Sequence, residues 1–324
     1  MVFIAKLPTR TLVATALLAL AQGGYGADYP SKPLIIIVGN AAGGPTDTLT
    51  RLVAEPLRKS LGVPVIVESK PGAAMMLAFQ AVSSAKPDGY TIAIAAAGIV
   101  TLKVTNKDYT LDPEKDFTYI VQMTNYPSVL AINANAPYKT MPEFFAYVRS
   151  HPGKLNFGYT GGPLEIDAGM FKYMSKLDYT AVPYPAGSAP MTAALAAGQI
   201  DAALANYSSI KPMVDAGKIK VIGVASSTRF SPQPDLKPIA TEVPGYEASM
   251  VWYGMIGPAR MPPDITGKLN EQIRAAMRSP AVVKWTGETN LDMVTGTPEE
   301  YRALVMRDYD YFRNAARILD LQAR

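Results

Sequence analysis

The sequence predicts an α/β protein with doubly wound sheets divided between two lobes. Three observations predict it. Short apolar, β-branched runs alternate with stretches whose apolar residues recur at helical spacing, the grammar of βαβ units. Glycine and proline number 25 and 27 of 324 residues, above the usual combined share of ~12%, so turns are many. The length of 324 residues is well beyond the ~100–200 residues of one ordinary domain.

Leu34–Val38 (LIIIV) is continuous and apolar, as expected of a strand buried on both faces. Gly43, Gly44, Pro45 and Thr46 break it and open a helix with Leu49, Leu52, Val53 and Leu57 on one side; Pro56 should kink that helix or end it early. Val63–Val67 reads as a strand, Ala73–Ala85 as a helix, Pro87-Asp88-Gly89-Tyr90 as a turn and Thr91–Ala95 as a third strand. Strands are then expected at 128–132, 155–159, 180–183, 202–205 and 221–225. Helices are expected at 142–149, from Gly161-Gly162-Pro163 to Met174, at 191–197 and at 210–216. Ile265–Met277 and Pro298–Leu319 read as long amphipathic helices. The chain has no low-complexity tract and no fixed-period repeat.

Composition excludes several classes. With no cysteine, thiolate metal sites, thiol catalysis and a cysteine-linked lipid anchor are ruled out. A formal charge of +4 over this length is too weak to suggest nucleic acid. Residues 1–26 have the layout of a secretory signal peptide: Lys6 and Arg10, the apolar run Thr11–Ala21, then small residues around Gly24, Gly26 and Ala27. That run is shorter than the ~20 residues a bilayer requires. A soluble, exported mature protein is expected.

Chemistry is expected at strand-to-helix loops, where ligands of open α/β sheets lie and helix N-termini favour anions. Three loops qualify: Asn40-Ala41-Ala42-Gly43-Gly44-Pro45-Thr46-Asp47, Tyr159-Thr160-Gly161-Gly162-Pro163 and Tyr184-Pro185-Ala186-Gly187-Ser188. Their glycines let backbone amides approach a ligand; the plain alternative for each is a tight turn with an N-cap. No G-x-G-x-x-G follows the first strand and no G-x-x-x-x-G-K-[ST] is present, which argues against dinucleotide and P-loop sites. The single histidine, His151, falls at a helix end and turn, and no serine lies in G-x-S-x-G. Asp47, Glu165 and Asp167 follow Gly-rich loops, where carboxylates usually serve a helix dipole rather than catalysis. No enzyme activity and no cofactor are expected.

The order of short motifs carries a resemblance. Tyr29-Pro30-Ser31-Lys32-Pro33-Leu34 opens it, followed by Gly43-Gly44-x-x-Asp47, Pro71-Gly72-Ala73, Pro87-Asp88-Gly89-Tyr90-Thr91 and Pro152-Gly153-Lys154-Leu155. Val182-Pro183-Tyr184, Gly187-Ser188-Ala189-Pro190, Gly198-Gln199-Ile200-Asp201, Trp252-Tyr253-Gly254 and Thr297-Pro298-Glu299-Glu300 continue it. From Tyr29 to its C-terminus the chain resembles the Bug family, the extracytoplasmic solute receptors of tripartite tricarboxylate transporters. The resemblance implies a type II-like periplasmic-binding-protein fold, with two sheets joined by two crossing strands. Lobe one would be 28–125 plus 250–324 and lobe two 126–249. It implies a small organic carboxylate as ligand, membrane permease subunits as partners, a periplasmic location and a monomer. The binding residues it implies are Gly43, Gly44 and Asp47 from lobe one with Gly161, Gly162, Gly187 and Ser188 from lobe two; the three loops and the strand ends add Asn40, Ala42, Thr46, Tyr159, Thr160, Tyr184 and Asn206 to the expected set, and Met75 is added as an apolar contact.

The chain departs from the family where Gly- and Asn-rich or hydroxyl-bearing loops are usual: it has Ala74-Met75-Met76-Leu77 and Ala96-Ala97-Gly98-Ile99-Val100. Methionine adapts to irregular apolar shapes, so the expected ligand is an acid with a sizeable apolar, even aromatic, body rather than citrate. Glu165, if it faced the cleft, would disfavour a second carboxylate. A ligand-sensing module for a signalling partner and a secreted carboxylate-dependent hydrolase are the alternative readings.

Overall fold

The computed structural model describes residues 29–40, 42–225, 230 and 233–321; the expected signal peptide lies outside the described residues. The first sheet is built from β1 (Leu34–Val38), β2 (Val65–Ser69), β3 (Thr91–Ala96), β4 (Phe117–Tyr126), β10 (Val251–Pro258) and β11 (Asp292–Met293), in the order β11-β4-β10-β3-β1-β2. β1 is parallel to β2 and β3, whereas β10 runs antiparallel to β3 and β4. The second sheet contains β5 (Ser128–Asn133), β6 (Asn156–Thr160), β7 (Thr180–Tyr184), β8 (Ala202–Asn206) and β9 (Ile219–Val224), in the order β7-β6-β8-β5-β9. Here β6 is parallel to β7 and β8, and β5 antiparallel to β8 and β9. The result is a two-lobed α/β fold.

β4 runs directly into β5, with Pro127 alone between the two sheets. Proline has no amide to give to a ladder, which suits a position where one sheet ends and the next begins. The return passage is 248–251: the Ala248 amide donates to the Ala225 carbonyl at 2.8 Å before β10 starts at Val251.

Helices cover both sheets. α1 (Pro45–Leu61) and α2 (Met76–Ser83) follow the first two strands, and α3 (Gly98–Thr105) follows β3. α4 (Met141–Ser150), α5 (Pro163–Ser175), α6 (Ser188–Ala196) and α7 (Tyr207–Asp215) serve the second sheet. α8 (Pro263–Met277), α9 (Pro280–Thr289) and α10 (Pro298–Ile318) return to the first. α10 packs on α3, β4 and α8, and also touches α5 of the other lobe.

Three expectations are corrected. α1 does not end at Pro56 but continues to Leu61. Its apolar stripe of Leu49, Val53 and Leu57 is fully buried, and that burial outweighs the missing hydrogen bond. The stretch expected as a loop at 96–100 becomes α3, because Ile99 and Val100 are drawn into the core. The helix expected from Ala73 begins only at Met76, after Ala74 and Met75 adopt left-handed φ of 53° and 76°.

Candidate functional site

The loop after β1 is folded by its own side chains. A Cβ at Gly39 would fall 2.7 Å from the Met75 Cβ, so only glycine fits there. Asn40 Nδ2 donates to Thr46 Oγ1 at 2.9 Å, and the Gly43 amide donates to Asp47 Oδ2 at 2.9 Å. Arg51 Nε reaches both Asp47 oxygens at 3.0 Å. The Arg51 hydrogen bonds, joined by the Gly43 amide, hold the Asp47 carboxyl below the usual carboxylate range despite its burial. Asp47, 3% exposed, therefore braces the loop from behind and neutralises its charge locally. Arg51 was missed from sequence, although its i,i+4 spacing from Asp47 was readable.

Three helices of this region share one construction. α1, α5 and α6 have Gly44, Gly162 and Gly187 at the N-cap, and no side chain caps any of the three. Among the other helices, α4 and α10 are capped by Thr140 and by a Thr297–Glu300 capping box, while α2, α3, α7, α8 and α9 also lack a side-chain cap but have no glycine at the N-cap. Gly162 and Gly187 have φ of 73° and 100°, and Gly43 has 83°, conformations that favour glycine. Nothing lies within 4 Å of where a Cβ would sit on Gly43, Gly161, Gly162 or Gly187. These backbones front open space, and a helix start without a side-chain cap directs its N–H groups and positive dipole end outward.

Strand order sets the loops side by side. β7, β6 and β8 are neighbours, with Thr160 opposite Tyr184, so the ends carrying Tyr159–Gly162, Tyr184–Ser188 and Asn206 form one edge. β2, β1 and β3 likewise align the Asn40–Asp47 loop, the Met75 turn and the start of α3. Both edges lie at the passage between sheets: Ala96 at the end of β3 pairs with Tyr253 of β10, and Asn206 at the end of β8 pairs with Ser128.

Individual residues differ in what they offer. Thr160 is buried; Tyr184 and Ser188 are half-buried. Asn206 is the N-cap of α7 without capping it, and its Oδ1, like Ser128 Oγ across the ladder, bonds to no described group. Met75 is 6% exposed and belongs to the core, while Met76 is half-buried and Leu77 exposed. Tyr159 turns away from Thr160, as alternation requires. It lines a cavity of about 230 Å³ with Phe157, Glu165, Lys172 and the C-terminal Leu319 and Leu321. Glu165 thus faces that side cavity. His151 is exposed and stacks on Tyr147 at 4.2 Å. Among the described residues no group of His, Asp and Glu could hold a metal ion.

Comparison with known proteins gives the family. Residues 49–318 match the family model of the tripartite tricarboxylate transporter family receptor. The chain belongs to that family. A Cupriavidus necator relative, the UPF0065 protein in the gbd 5′ region, is 34% identical over 284 residues, 86% of this chain and 85% of its own. BugT of Bordetella pertussis is 26% identical over 305 residues, 91% and 93% of the two chains. Among solved structures, R. palustris Rpa4515 with adipate has a TM-score of 0.75 and 28% identity, covering 92% of this chain and 100% of that one. MatC from Rhodopseudomonas palustris with bound malate has a TM-score of 0.70 and 28% identity, covering 89% and 99%. The protein is a solute receptor of a periplasmic-binding-protein family, not an enzyme. No described helix is long and apolar enough to cross a membrane.

Proposed function

We propose that this receptor captures a small organic carboxylate in the periplasm and presents it to the membrane subunits of a tripartite tricarboxylate-type transporter. The ligand sits between the Asn40–Asp47 loop on one lobe and the Tyr159–Gly162, Tyr184–Ser188 and Asn206 edge on the other, and the lobes close over it. One observation carries this reading: three helix starts with a glycine N-cap and no side-chain cap lie on the two edges beside the passage, and Gly43, Gly162 and Gly187 there front open space. Each such contact to an anion contributes ~0.3–2 kcal/mol. Micromolar affinity needs about 8 kcal/mol, so several contacts from both lobes are required. The leader at 1–26 is removed on export.

The ligand is an acid with an apolar body. Ala74, Met76 and Leu77 border the loop where hydrogen-bonding side chains would serve a polyhydroxylated or tricarboxylic acid, and Met75 fills the space beneath. The R. palustris relative with adipate supports a chain of this kind. The test is thermal shift against adipate, aromatic monocarboxylates, malate and citrate. At about a hundredfold excess over Kd a ligand stabilises by ~2.7 kcal/mol, so adipate or an aromatic acid raises Tm by several degrees. Stabilisation by citrate alone refutes the apolar-bodied ligand; stabilisation by none of the acids refutes the carboxylate reading.

A further inference from the structure

One buried acid joins three parts of the molecule: a helix of the second lobe, the return passage and the last helix. Asp167, on α5, is 1% exposed. Its Oδ1 accepts from Tyr311 Oη at 2.8 Å and from the Ser249 amide at 3.2 Å, and its Oδ2 accepts from Ser249 Oγ at 2.8 Å. Asp167 belongs to the helix that the Gly161-Gly162 loop opens. Ser249 lies in the return passage between the sheets. Tyr311 is on α10, which is fixed to the first lobe one turn earlier, where Asp308 Oδ2 accepts from Trp252 Nε1 of β10 at 2.7 Å. Just past α10, Leu319 rests on α5 so closely that a Cβ at Gly169 would fall 2.7 Å from it. α10 is therefore a strap anchored on both lobes, and Asp167 is its anchor on the second.

We propose that Asp167 is a positioning residue for ligand capture: while its carboxyl is neutral, the Ser249–Asp167–Tyr311 joint holds the second lobe's Gly161-Gly162 loop in register with the first lobe, and ionisation loosens the joint and lets the lobes swing apart. The proposal rests on the cleft reading for its role in capture, but the joint itself is independent of which ligand binds. Burial and the Asp308 charge favour the neutral form, whereas the three donors favour the ion. Besides its three donors, one of them Tyr311 of α10, the carboxyl lies in the field of Asp308 from α10 and of Tyr246 from the segment before the passage, whose Oη donates to the Asp167 carbonyl at 3.2 Å. Among the described residues no lysine or arginine pairs with it. Burial, opposed by the Ser249 and Tyr311 hydrogen bonds, pushes Asp167 up to about 7. A joint opened to water returns the carboxyl toward ~4. The closed joint therefore binds the proton more tightly than the open one, and acid favours it.

The experiment uses the absence of native cysteine. Spin labels on Lys59→Cys and Lys154→Cys, both exposed and on different lobes, report the lobe-to-lobe distance of the full mature chain without ligand. Between about pH 5.5 and about pH 8 the distribution widens, the displaced component growing at least ~threefold. Asp167→Asn keeps the narrow distribution at both values, and Tyr311→Phe is broad at both. Asp308→Asn retains the pH response, which separates the two buried acids. An unchanged distribution across this range, or an undiminished response in Asp167→Asn, overturns the proposal. If Asp167→Asn does not fold, the wild-type series and Tyr311→Phe decide it. With no ligand present, a wrong choice of acid for the cleft leaves this result standing.

Discussion

At Asp47 a carboxylate that the sequence marks as a binding candidate is turned into its own loop, where Arg51 and the Gly43 amide engage it. These bonds make it part of what holds the loop. Asp47→Ala lowers the unfolding free energy by ~1–2 kcal/mol, a range kept small because the Arg51 side chain is half exposed. The folded carboxyl titrates below its unfolded value, so its stabilisation is present above that value and is lost as pH falls through the depressed one. Urea titrations of Asp47→Ala and wild type, run from neutral pH into strong acid, therefore converge at the acid end. A difference that persists there contradicts this assignment. Motif reading found Asp47 through its position after Gly43-Gly44, but its partners require the fold: nothing in the motif says which way the side chain turns.

Among elements, the helix starts were the most legible part. Gly-Gly-Pro or Gly-Ser after a strand is a local signal, and α1, α5 and α6 begin within a few residues of the expected places. β1 needed only its unbroken LIIIV run. What stayed hidden were elements whose identity is decided by distant partners. β10 is a strand because it is inserted between β3 and β4, and α3 is a helix because Ile99 and Val100 find a buried surface. The turn before α2 is a third case. Ala74 and Met75 carry φ of 53° and 76° without being glycine, and no propensity scale would place them there; Met75 is held by packing against Gly39. A pair of substitutions with opposite signs follows. Ala74→Gly, at an exposed position, relieves a left-handed residue and stabilises by up to ~1 kcal/mol. Gly162→Ala, at φ 73° and ψ −137°, costs ~1–3 kcal/mol although no atom obstructs the new methyl. Chemical denaturation midpoints of the two variants measure this, and equal shifts in one direction would refute it.

For the molecule as a whole, two buried acids set the pH dependence of stability. Burial pushes Asp167 up to about 7 and Asp308 up to about 6, the latter held partly in check by Trp252 and Arg307. Both values lie above the unfolded one, so the folded chain binds more protons through the window between ~4 and 7. Their contribution is therefore full below that window and declines as pH rises through it. Tm is expected to fall from mildly acid to mildly alkaline pH, and Asp167→Asn to flatten that decline; a Tm that climbs steadily toward pH 8 contradicts it. Neither acid was legible as such. In sequence Asp167 looks like a partner of its own helix dipole, because its real partners, Ser249 and Tyr311, stand far along the chain. The two-lobed plan, by contrast, was readable from alternation and length.

The strand order of the first sheet has a consequence for assembly. Its interior strand β10 is supplied by residues 251–258, after the whole of the second sheet, 128–224, has been synthesised. The half made from one uninterrupted stretch can condense by itself. The other begins earlier on the ribosome yet must wait, split at the middle, until its missing slat arrives and the last helix is laid across both. Long-range closures of this kind are slow, so the half begun first is the half completed last.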